Sequence, residues 1–272
     1  MIQSNAYTVI HPEAQIGQDV TIGPFTYIDK DVIIGDGTWI GPNVTLFEGA
    51  RIGKNCKIFP GAVIAGVPQD LKFEGEYSNV FIGDHTVIRE YVTVNRGTKF
   101  NDSFKTVVGN YCLLMAYSHV AHDCILGDHV IMANNVNLAG HVEIEDWAIL
   151  EGLVAVQQFI RIGKHSFVAG GSLVRKNVPP YIKAAREPLS YAGINAIGLT
   201  RRQFSPETIN HIHDIYRILF VKGYNLSRAI QEVEELIEPT PEREDILGFI
   251  KVAEAGVVKG YQSLNGSGVY ED

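Results

Sequence analysis

The stretch ILGDHVIMANNVNLAGHVEIEDWAIL, residues 125–150, returns to an aliphatic residue or Met at every sixth position. These positions are Leu126, Met132, Leu138, Ile144 and Leu150. A helix would show a period near 3.6 residues and an amphipathic strand a period of two, so neither explains the pattern. A period of six fits a triangular parallel β-coil with three short strands per turn. Inward side chains in such a coil stack one strand spacing, about 4.8 Å, apart.

The same register covers most of the chain and contains 25 positions, all aliphatic or Met. They are Ile10, Ile16, Ile22, Ile28, Ile34, Ile40, Leu46, Ile52, Ile58, Ile64, Ile82, Ile88, Val94, Val108, Leu114, Val120, Leu126, Met132, Leu138, Ile144, Leu150, Val156, Ile162, Val168 and Val174. A small or β-branched residue comes four positions after nearly every one of them. The sequence therefore predicts a mainly β fold, a parallel β-helix, over roughly residues 10–180.

Two segments interrupt the register, and the pattern changes near the C-terminus. We expect residues 66–80 and 99–107 to be excursion loops, because the repeat stops at each of them and such loops commonly carry function. Farther on, Ser205 followed by Pro206 is typical of a helix N-cap and first helical residue, and two more helical segments come after it. We predict a β-helical domain at residues 1–186 and a small C-terminal α-helical domain at residues 187–272.

Composition narrows the class of protein. The chain has 272 residues, of which 46% are hydrophobic and 20% charged, and no apolar run approaches the length of about 18 residues that a membrane span needs. We therefore expect a globular protein without stable membrane insertion. The N-terminal residues lack the basic and apolar regions of a signal peptide, so we expect a cytoplasmic location. The net charge of −8 argues against nucleic acid as the main partner.

The basic residues are unevenly distributed. Residues 161–202 contain eight basic residues and one acidic residue, whereas the rest of the chain is strongly acidic. This contrast indicates an anionic ligand or partner near the segment. A solvated basic face is the alternative that charge alone leaves open.

The motif SHVAHDC, residues 118–124, places two histidines and an aspartate on the predicted coil. One full turn is eighteen residues, so residues that differ by eighteen stack directly. His122 then lies beneath Gly140, which lies beneath Gln158, and Asp123 lies beneath His141. The excursion at 66–80 leaves from the same face and brings further polar side chains, namely Gln69, Asp70 and Lys72. The register therefore collects these residues in one patch.

The composition of this patch fits acyl transfer. Histidine suits general-base work near neutral pH, and Asp123 could hold the tautomer of His122. The N–H of Gly140 could donate to a developing oxyanion. Two alternatives remain open: the histidines could be surface or packing residues, or His119, His122 and His141 could assemble a zinc site between subunits.

Two resemblances add to these inferences. The six-residue register resembles the hexapeptide-repeat, left-handed parallel β-helix family, and the left hand is taken from that resemblance. The run at residues 116–159, with QDLK at 69–72 and GLTRR at 198–202, closely resembles the UDP-N-acetylglucosamine 3-O-acyltransferase family, which catalyses the first step of lipid A biosynthesis. The second resemblance spans almost the whole chain.

This resemblance implies a reaction and a set of roles. A 3-hydroxyacyl chain passes from acyl carrier protein to the 3-hydroxyl of UDP-N-acetylglucosamine, with His122 as general base, Asp123 as its orienting partner and Gly140 as oxyanion donor. No metal, no other cofactor and no covalent acyl-enzyme are implied. The implied substrate-binding residues are Gln69, Asp70, Lys72, His119, His141, Gln158, Asn195, Arg201 and Arg202. The family forms homotrimers with active sites between subunits, and the basic segment could receive the acidic carrier protein.

The resemblance also implies a means of measuring the acyl chain. Ala116, Asn134, Gly152 and Gly170 form an eighteen-residue column whose glycines would leave a smooth surface. The position of Gly170 resembles a hydrocarbon ruler, where glycine admits longer chains; a tight turn is the alternative reason for glycine.

Three positions depart from the family pattern. Asn95 and Gln157 stand where histidine is frequent, and Ile197 stands where an acidic residue often meets the nucleotide ribose. These departures leave open an acceptor that carries a 3-amine. The later N-acyltransferase of the same pathway is a further alternative, although it has an extra N-terminal domain, and so is a non-enzymatic β-helix protein.

Overall fold

A computed structural model describes residues 7–260 and shows a three-sided parallel β-helix. We number the faces 1, 2 and 3 in the order in which the chain crosses them. Face 1 contains β1 (Val9–Ile10), β4 (Tyr27–Ile28), β7 (Thr45–Leu46), β10 (Val63–Gly66), β13 (Thr93–Asn95), β16 (His119–Val120), β19 (Asn137–Leu138), β22 (Ala155–Val156) and β25 (Leu173–Val174). Face 2 contains β2 (Gln15–Ile16), β5 (Ile33–Ile34), β8 (Ala50–Ile52), β11 (Asn79–Ile82), β14 (Lys105–Val108), β17 (Ile125–Leu126), β20 (Glu143–Ile144) and β23 (Arg161–Ile162). Face 3 contains β3 (Thr21–Ile22), β6 (Trp39–Ile40), β9 (Lys57–Ile58), β12 (Val87–Ile88), β15 (Leu113–Leu114), β18 (Ile131–Met132), β21 (Ile149–Leu150), β24 (Phe167–Val168), β26 (Ile182–Ala185) and β27 (Ser190–Ile194).

The strand register confirms the turn length that the sequence predicts. Within the uninterrupted coils, parallel partners differ by eighteen residues, as in the pair His119 and Asn137 on face 1 and the pair Ile125 and Glu143 on face 2. The fold is the left-handed parallel β-helix that the resemblance implied. The three edges of the prism are named by the faces that they join: edge 1/2, edge 2/3 and edge 3/1.

The repeated aliphatic positions form the core of the prism. Every one of them is buried except Ile10 and Ile16 in the first coil, which are partly buried. Some inward slots hold polar residues that bond to the next coil: Thr38 Oγ1 donates to the Gly53 carbonyl at 2.9 Å, and Cys112 Sγ lies 3.1 Å from the Gly127 carbonyl. The three cysteines are free and buried, and burial raises the pKa of Cys112 to about 12. They are therefore core residues.

The edges turn by placing one residue per corner in the left-handed region of backbone conformation. Bulky residues occupy several of these sites, including Trp147 with φ of 62°. On edge 2/3 their rings stack from coil to coil, with centroids 5.0 Å apart for Tyr111 and His129 and 3.8 Å apart for His129 and Trp147. Ring stacking contributes free energy that offsets the strain of a left-handed non-glycine residue.

Both excursions connect face 1 to face 2. Residues 67–78 join β10 to β11, and residues 96–104, with a short 3₁₀ turn at Phe100–Asp102, join β13 to β14. Their bounds differ slightly from the expected 66–80 and 99–107. The difference arises because parallel pairing of β11 with β14 continues into residues that break the six-residue pattern.

Helices close the chain, as predicted. They are α1 (Ala196–Arg201), α2 (Pro206–Tyr216) with a π-helical turn at Arg217–Val221, α3 (Leu226–Leu236) and α4 (Pro241–Lys251). The Ser205 side chain accepts a hydrogen bond from the Thr208 N–H, and Pro206 is the first helical residue. Within residues 7–260, no helix has both the length and the apolar composition to cross a bilayer.

The expected boundary at residue 186 falls inside a β-hairpin. β26 pairs parallel with β24, and β27 then pairs antiparallel with β26, so face 3 extends to Ile194. Helical structure begins at Ala196. The hairpin has no six-residue repeat, and for that reason the register gave no sign of it.

The core predicts the effect of single truncations. Leu126→Ala should lower the free energy of unfolding by about 2–5 kcal/mol, because Leu126 is 1% exposed and its removal leaves a cavity between coils. Ile125→Ala is the matched control on the same strand, where the side chain is 42% exposed and points outward. Urea unfolding followed by circular dichroism measures both. Equal losses for the two variants would contradict the assignment of the inward face.

Candidate active site

Edge 1/2 gathers the histidine motif and both excursions. His122 lies on this edge between β16 and β17, one coil beyond the second excursion, and Gly140 lies on it one coil farther along. Because consecutive coils stack directly, the two loops and the two corners form one continuous surface.

The imidazole of His122 is held from two sides. Its Nδ1 lies 2.8 Å from Oδ2 of Asp123, and both side chains are buried. A Cβ at Gly140 would lie 2.5 Å from His122 Cε1 and 2.7 Å from Nε2, so only glycine leaves room for the ring. When Nδ1–H donates to the carboxylate, Nε2 is the nitrogen left to accept a proton.

The carboxylate of Asp123 is fixed by neighbouring donors. Its Oδ1 accepts from the Thr98 N–H at 2.8 Å, and its Oδ2 accepts from the Thr98 hydroxyl at 2.7 Å as well as from His122. The Asp123 N–H donates to Thr106 Oγ1 at 2.8 Å. Burial raises the pKa of Asp123, but the hydrogen bonds from His122 and Thr98 outweigh burial and hold that pKa below its ordinary value. Asp123 is therefore ionised at neutral pH.

A cavity of about 410 Å³ adjoins His122 and Gly140 on face 1. Its wall includes His119, Asn137 and, from the first excursion, Gln69. Within residues 7–260, no protein acceptor takes the N–H of Gly140. This amide is therefore available to an oxygen atom of a bound molecule.

Two further imidazoles flank the pair. His119 Nδ1 lies 2.7 Å from Thr93 Oγ1, and His141 Nε2 lies 3.7 Å from Asp123 Oδ2. Burial, reinforced by the neighbouring His122, lowers the pKa of His119. Burial also lowers the pKa of His141, although the charge of Asp123 opposes this change. Both side chains therefore favour the neutral form at neutral pH, in which each ring donates and accepts a hydrogen bond.

The first excursion brings its charged residues to the same place. Asp70 and Lys72 lie near enough to His141 for their charges to act on its imidazole, and the Lys72 N–H donates to Asp70 Oδ1 at 3.0 Å. Gln158 occupies the corner of the next coil and is exposed. The structure thus brings together Gln69, Asp70, Lys72, His119, His141 and Gln158 around His122.

Asn195 does not join this group within one chain. It lies at edge 2/3, where its Oδ1 accepts from the Gly198 N–H at 3.2 Å and its Nδ2 donates to the His165 carbonyl at 2.9 Å. The side chain is buried and caps α1. Its hydrogen bonds are used by the fold, which the spacing could not reveal.

Arg201 and Arg202 also lie at edge 2/3. The Arg202 guanidinium stands over the Trp147 ring at 5.2 Å and donates to the Trp147 carbonyl at 3.0 Å, while Arg201 is exposed at the end of α1. His122 is on a different edge, so a single chain does not place these arginines beside it. The expectation that all the candidate residues meet at one site is therefore not met within one chain.

Ion pairs neutralise part of the basic segment. Arg161 bonds to Glu143 and Glu145, and Lys164 bonds to Asp245. The sequence count therefore overestimates the positive charge that the segment offers to a partner. Five exposed basic residues of the segment lie at or near one end of the coil, namely Arg175, which pairs with Glu187, and Lys176, Lys183, Arg186 and Arg201.

The glycine column lies at edge 3/1. A Cβ at Gly152 would lie 3.4 Å from the Asn134 carbonyl oxygen, and one at Gly170 would lie 3.2 Å from that of Gly152. The left-handed corner residue is Gly171, with φ of 71°. The tight turn therefore accounts for glycine at 171 and not at 170.

The three departures differ in their surroundings. Asn95 is buried; its Nδ2 donates to the Val67 carbonyl at 3.1 Å, and its Oδ1 has no protein partner within the described residues. Gln157 is exposed beside the site, and Ile197 is 70% exposed on α1. Of the three positions that depart from the family pattern, Asn95 is the one that contacts the base of the first excursion.

Ligand-type atoms of His122, Asp123 and His141 lie within 4.8 Å of one another. Within the described residues of one chain, His119 is outside this group; the zinc alternative calls for histidines that meet between subunits. Asp123 is already bonded to His122 and Thr98, which is the arrangement of a proton-transfer pair.

Two residues of the second excursion contact the site but could not be assigned to it from sequence spacing. Thr98 bonds to Asp123, and the Phe100 ring lies 4.4 Å from that of His141 between centroids. Loop residues have no fixed place in the register, so no sequence signal could assign them to this edge.

Comparisons with known proteins agree with this geometry. A family model described as UDP-N-acetylglucosamine O-acyltransferase, domain 2, matches residues 177–258, and a bacterial transferase hexapeptide model matches residues 31–66 and 105–140. An acyl-(acyl-carrier-protein)–UDP-N-acetylglucosamine O-acyltransferase of Xylella fastidiosa is 45% identical, over 92% of this chain and 95% of that protein. The enzyme of the same name in Alkalilimnicola ehrlichii is 48% identical, over 95% of this chain and 100% of that protein.

A crystal structure of the UDP-N-acetylglucosamine acyltransferase of Bacteroides fragilis superposes with a TM-score of 0.92 and 47% identity, over 94% of this chain and 100% of that one. The similarity thus covers the β-helix, both excursions and the C-terminal helices. Together with the paired His122 and Asp123 beneath Gly140, it shows that the chain belongs to the UDP-N-acetylglucosamine O-acyltransferase family.

Proposed function

We propose that this protein transfers a 3-hydroxyacyl chain from acyl carrier protein to the 3-hydroxyl of UDP-N-acetylglucosamine, the first step of lipid A biosynthesis. The observation that carries the proposal is the His122 imidazole, which is bonded to Asp123, covered by Gly140 and open to a cavity. The fold alone would not carry it, because hexapeptide β-helices serve many functions.

In the proposed mechanism, His122 acts as general base. Nδ1–H donates to Asp123, and Nε2 accepts the proton of the sugar 3-hydroxyl as its oxygen attacks the thioester carbonyl. The carbonyl oxygen becomes an oxyanion, which accepts a hydrogen bond from the Gly140 N–H. The intermediate then collapses, the carbon–sulfur bond breaks, and the leaving thiolate takes the proton from the His122 imidazolium. No metal or covalent acyl-enzyme enters this scheme.

The substrate-binding residues divide between two edges. Gln69, Asp70, Lys72, His119, His141 and Gln158 surround His122 on edge 1/2, whereas Asn195, Arg201 and Arg202 lie on edge 2/3. We propose a homotrimer in which edge 2/3 of one subunit meets edge 1/2 of the next, because a closed ring of such heterologous contacts completes every site. Asn195 and Arg202 would then support the wall of the nucleotide site, and the exposed Arg201 side chain would contact phosphate.

Two further proposals follow from acyl carrier protein as the acyl donor. The exposed basic residues at the end of the coil fit an acidic carrier protein, and use of that donor implies a cytoplasmic location. Asn95 supports a second candidate acceptor, a UDP-sugar with a 3-amine, because its buried Oδ1 has no protein partner within the described residues and its Nδ2 contacts the first excursion at Val67.

The proposed reaction is tested directly with UDP-N-acetylglucosamine, its 3-amino analogue and 3-hydroxyacyl carrier proteins of several lengths, with products read by mass spectrometry. His122→Ala should lower the rate about 100- to 10,000-fold, the usual contribution of a general base, while the circular dichroism spectrum stays unchanged. Activity retained in His122→Ala would contradict the mechanism. Loss of wild-type activity on treatment with EDTA would favour the zinc alternative.

Gly140→Ala should lower the rate at least about 100-fold, because the new Cβ displaces the imidazole by an ångström or more. Gly248→Ala in α4, where a Cβ meets no atom within 4 Å, is the matched control and should be fully active. Steady-state rates of acyl transfer by both variants measure the effect. An active Gly140→Ala variant would show that the ring does not need its observed position.

Gly170→Met should shift the product toward shorter acyl chains. The methionine side chain would project from edge 3/1, where the resemblance places the ruler for the end of the acyl chain, and its Cβ would lie 3.2 Å from the Gly152 carbonyl oxygen. Competition between donors of different length in one reaction measures the preference. An unchanged length distribution would refute the ruler.

A further inference from the structure

We propose that Thr98 is the positioning residue of the His122–Asp123 pair, a role that rests on the proposed acyl transfer. Thr98 lies on the second excursion and is buried. It does not touch His122 but holds both oxygens of the carboxylate that orients His122. The second excursion, which the repeat pattern leaves unexplained, thereby takes part in the reaction.

The contact geometry determines how the carboxylate is aimed. The Thr98 N–H fixes Asp123 Oδ1 at 2.8 Å and the Thr98 hydroxyl fixes Oδ2 at 2.7 Å, so two points of the carboxylate plane are set by one residue. The Asp123 N–H is bonded to Thr106, which fixes the backbone. Rotation of the carboxylate is thereby blocked, and Oδ2 stays directed at His122 Nδ1.

A competing donor makes this restraint necessary. His141 Nε2 lies 3.7 Å from the same Asp123 Oδ2, just beyond hydrogen-bond distance. Without the Thr98 hydroxyl, a small rotation would let Asp123 accept from His141 instead of His122. His122 could then carry its proton on Nε2, where it cannot act as a base. Thr98 therefore selects which imidazole the carboxylate serves.

The excursion is held mainly by hydrogen bonds that do not involve the Thr98 hydroxyl, which accepts one bond within the loop, from the Phe100 N–H at 3.3 Å. The Phe104 N–H donates to the Thr98 carbonyl at 3.1 Å, the Asn79 N–H donates to the Phe104 carbonyl at 2.9 Å, and the Lys99 N–H donates to Glu76 Oε1 at 3.0 Å. The bonds to Thr98, Phe104 and Lys99 remain in Thr98→Val, whereas the bond from the Phe100 N–H to the hydroxyl is lost. Valine also matches threonine in shape, so most of the loop contacts are retained, and Thr98→Ser keeps a hydroxyl for both Asp123 and the Phe100 N–H.

The experiment compares Thr98→Val and Thr98→Ser with wild type. In Thr98→Val we expect kcat to fall about 10- to 100-fold, the effect of losing one hydrogen bond to a charged group, and KM for the nucleotide sugar to change by less than about twofold. Thr98→Ser should recover kcat to within about threefold. The tautomer of His122 is read from long-range nitrogen–proton correlation spectra of histidine-labelled protein, with His122→Ala for assignment. Wild type should show Nδ1–H, and Thr98→Val a mixture.

Thr38→Val is the matched control. Thr38 is also buried, donates to the Gly53 carbonyl and accepts from the Cys56 N–H, but it belongs to an early coil far from His122. It should lose stability yet retain kcat and the His122 tautomer.

Each outcome decides the proposal. An unchanged kcat and tautomer in Thr98→Val would overturn it. A fall in activity with an unchanged tautomer and no recovery in Thr98→Ser would show a purely structural role. Should wild type transfer no acyl chain, the proposed function fails, and the tautomers of wild type and Thr98→Val still decide whether Thr98 positions the pair.

Discussion

Parallel pairing of each strand with the strand one coil away, which is eighteen residues along the chain where no excursion intervenes, is the constraint on which the structure depends. The backbone hydrogen bonds permit no slip, because a shift of one residue would turn the aliphatic core outward. The pairing therefore fixes the angular position of every side chain. The register places His122 against Gly140: no bond joins the imidazole to Gly140, the ring is held by Asp123, and the fit requires that position 140 lack a Cβ. The chemistry of the site is thus a product of the backbone register.

Features that obey the register were predictable from the sequence, and features outside the register were not. The core positions, the pairing of His122 with Gly140 and the closeness of Asp123 to His141 could all be counted from spacing. Thr98 and Phe100 could not, because an excursion of unknown path has no angular position. The hairpin of β26 and β27 was missed for a similar reason: its antiparallel pairing obeys no six-residue rule. Helix starts at Ser205 and Asn225 were predictable from local capping chemistry, which needs no long-range information.

Charge and motif membership were less reliable guides than position. The basic segment is strongly cationic by residue count, but Arg161 and Lys164 are paired within the chain. Asn195 and Arg202 match family motifs, yet their side chains cap a helix and cover Trp147 on a different edge from His122. One chain therefore carries these candidate residues on two different edges. Counting motif residues does not show that the two groups lie on different edges, whereas the order of the faces along the chain does.

The two excursions leave and rejoin the prism at the same edge. Their length consequently has no effect on the angular phase of the later coils, and residues there are free to be gained or lost one at a time. At the other corners a deletion of six residues would rotate everything beyond it by one face, carrying His122 or Gly140 to a different side. Substrate preference can therefore diversify along edge 1/2 by small changes of length, while elsewhere the chain can grow or shrink only by whole turns.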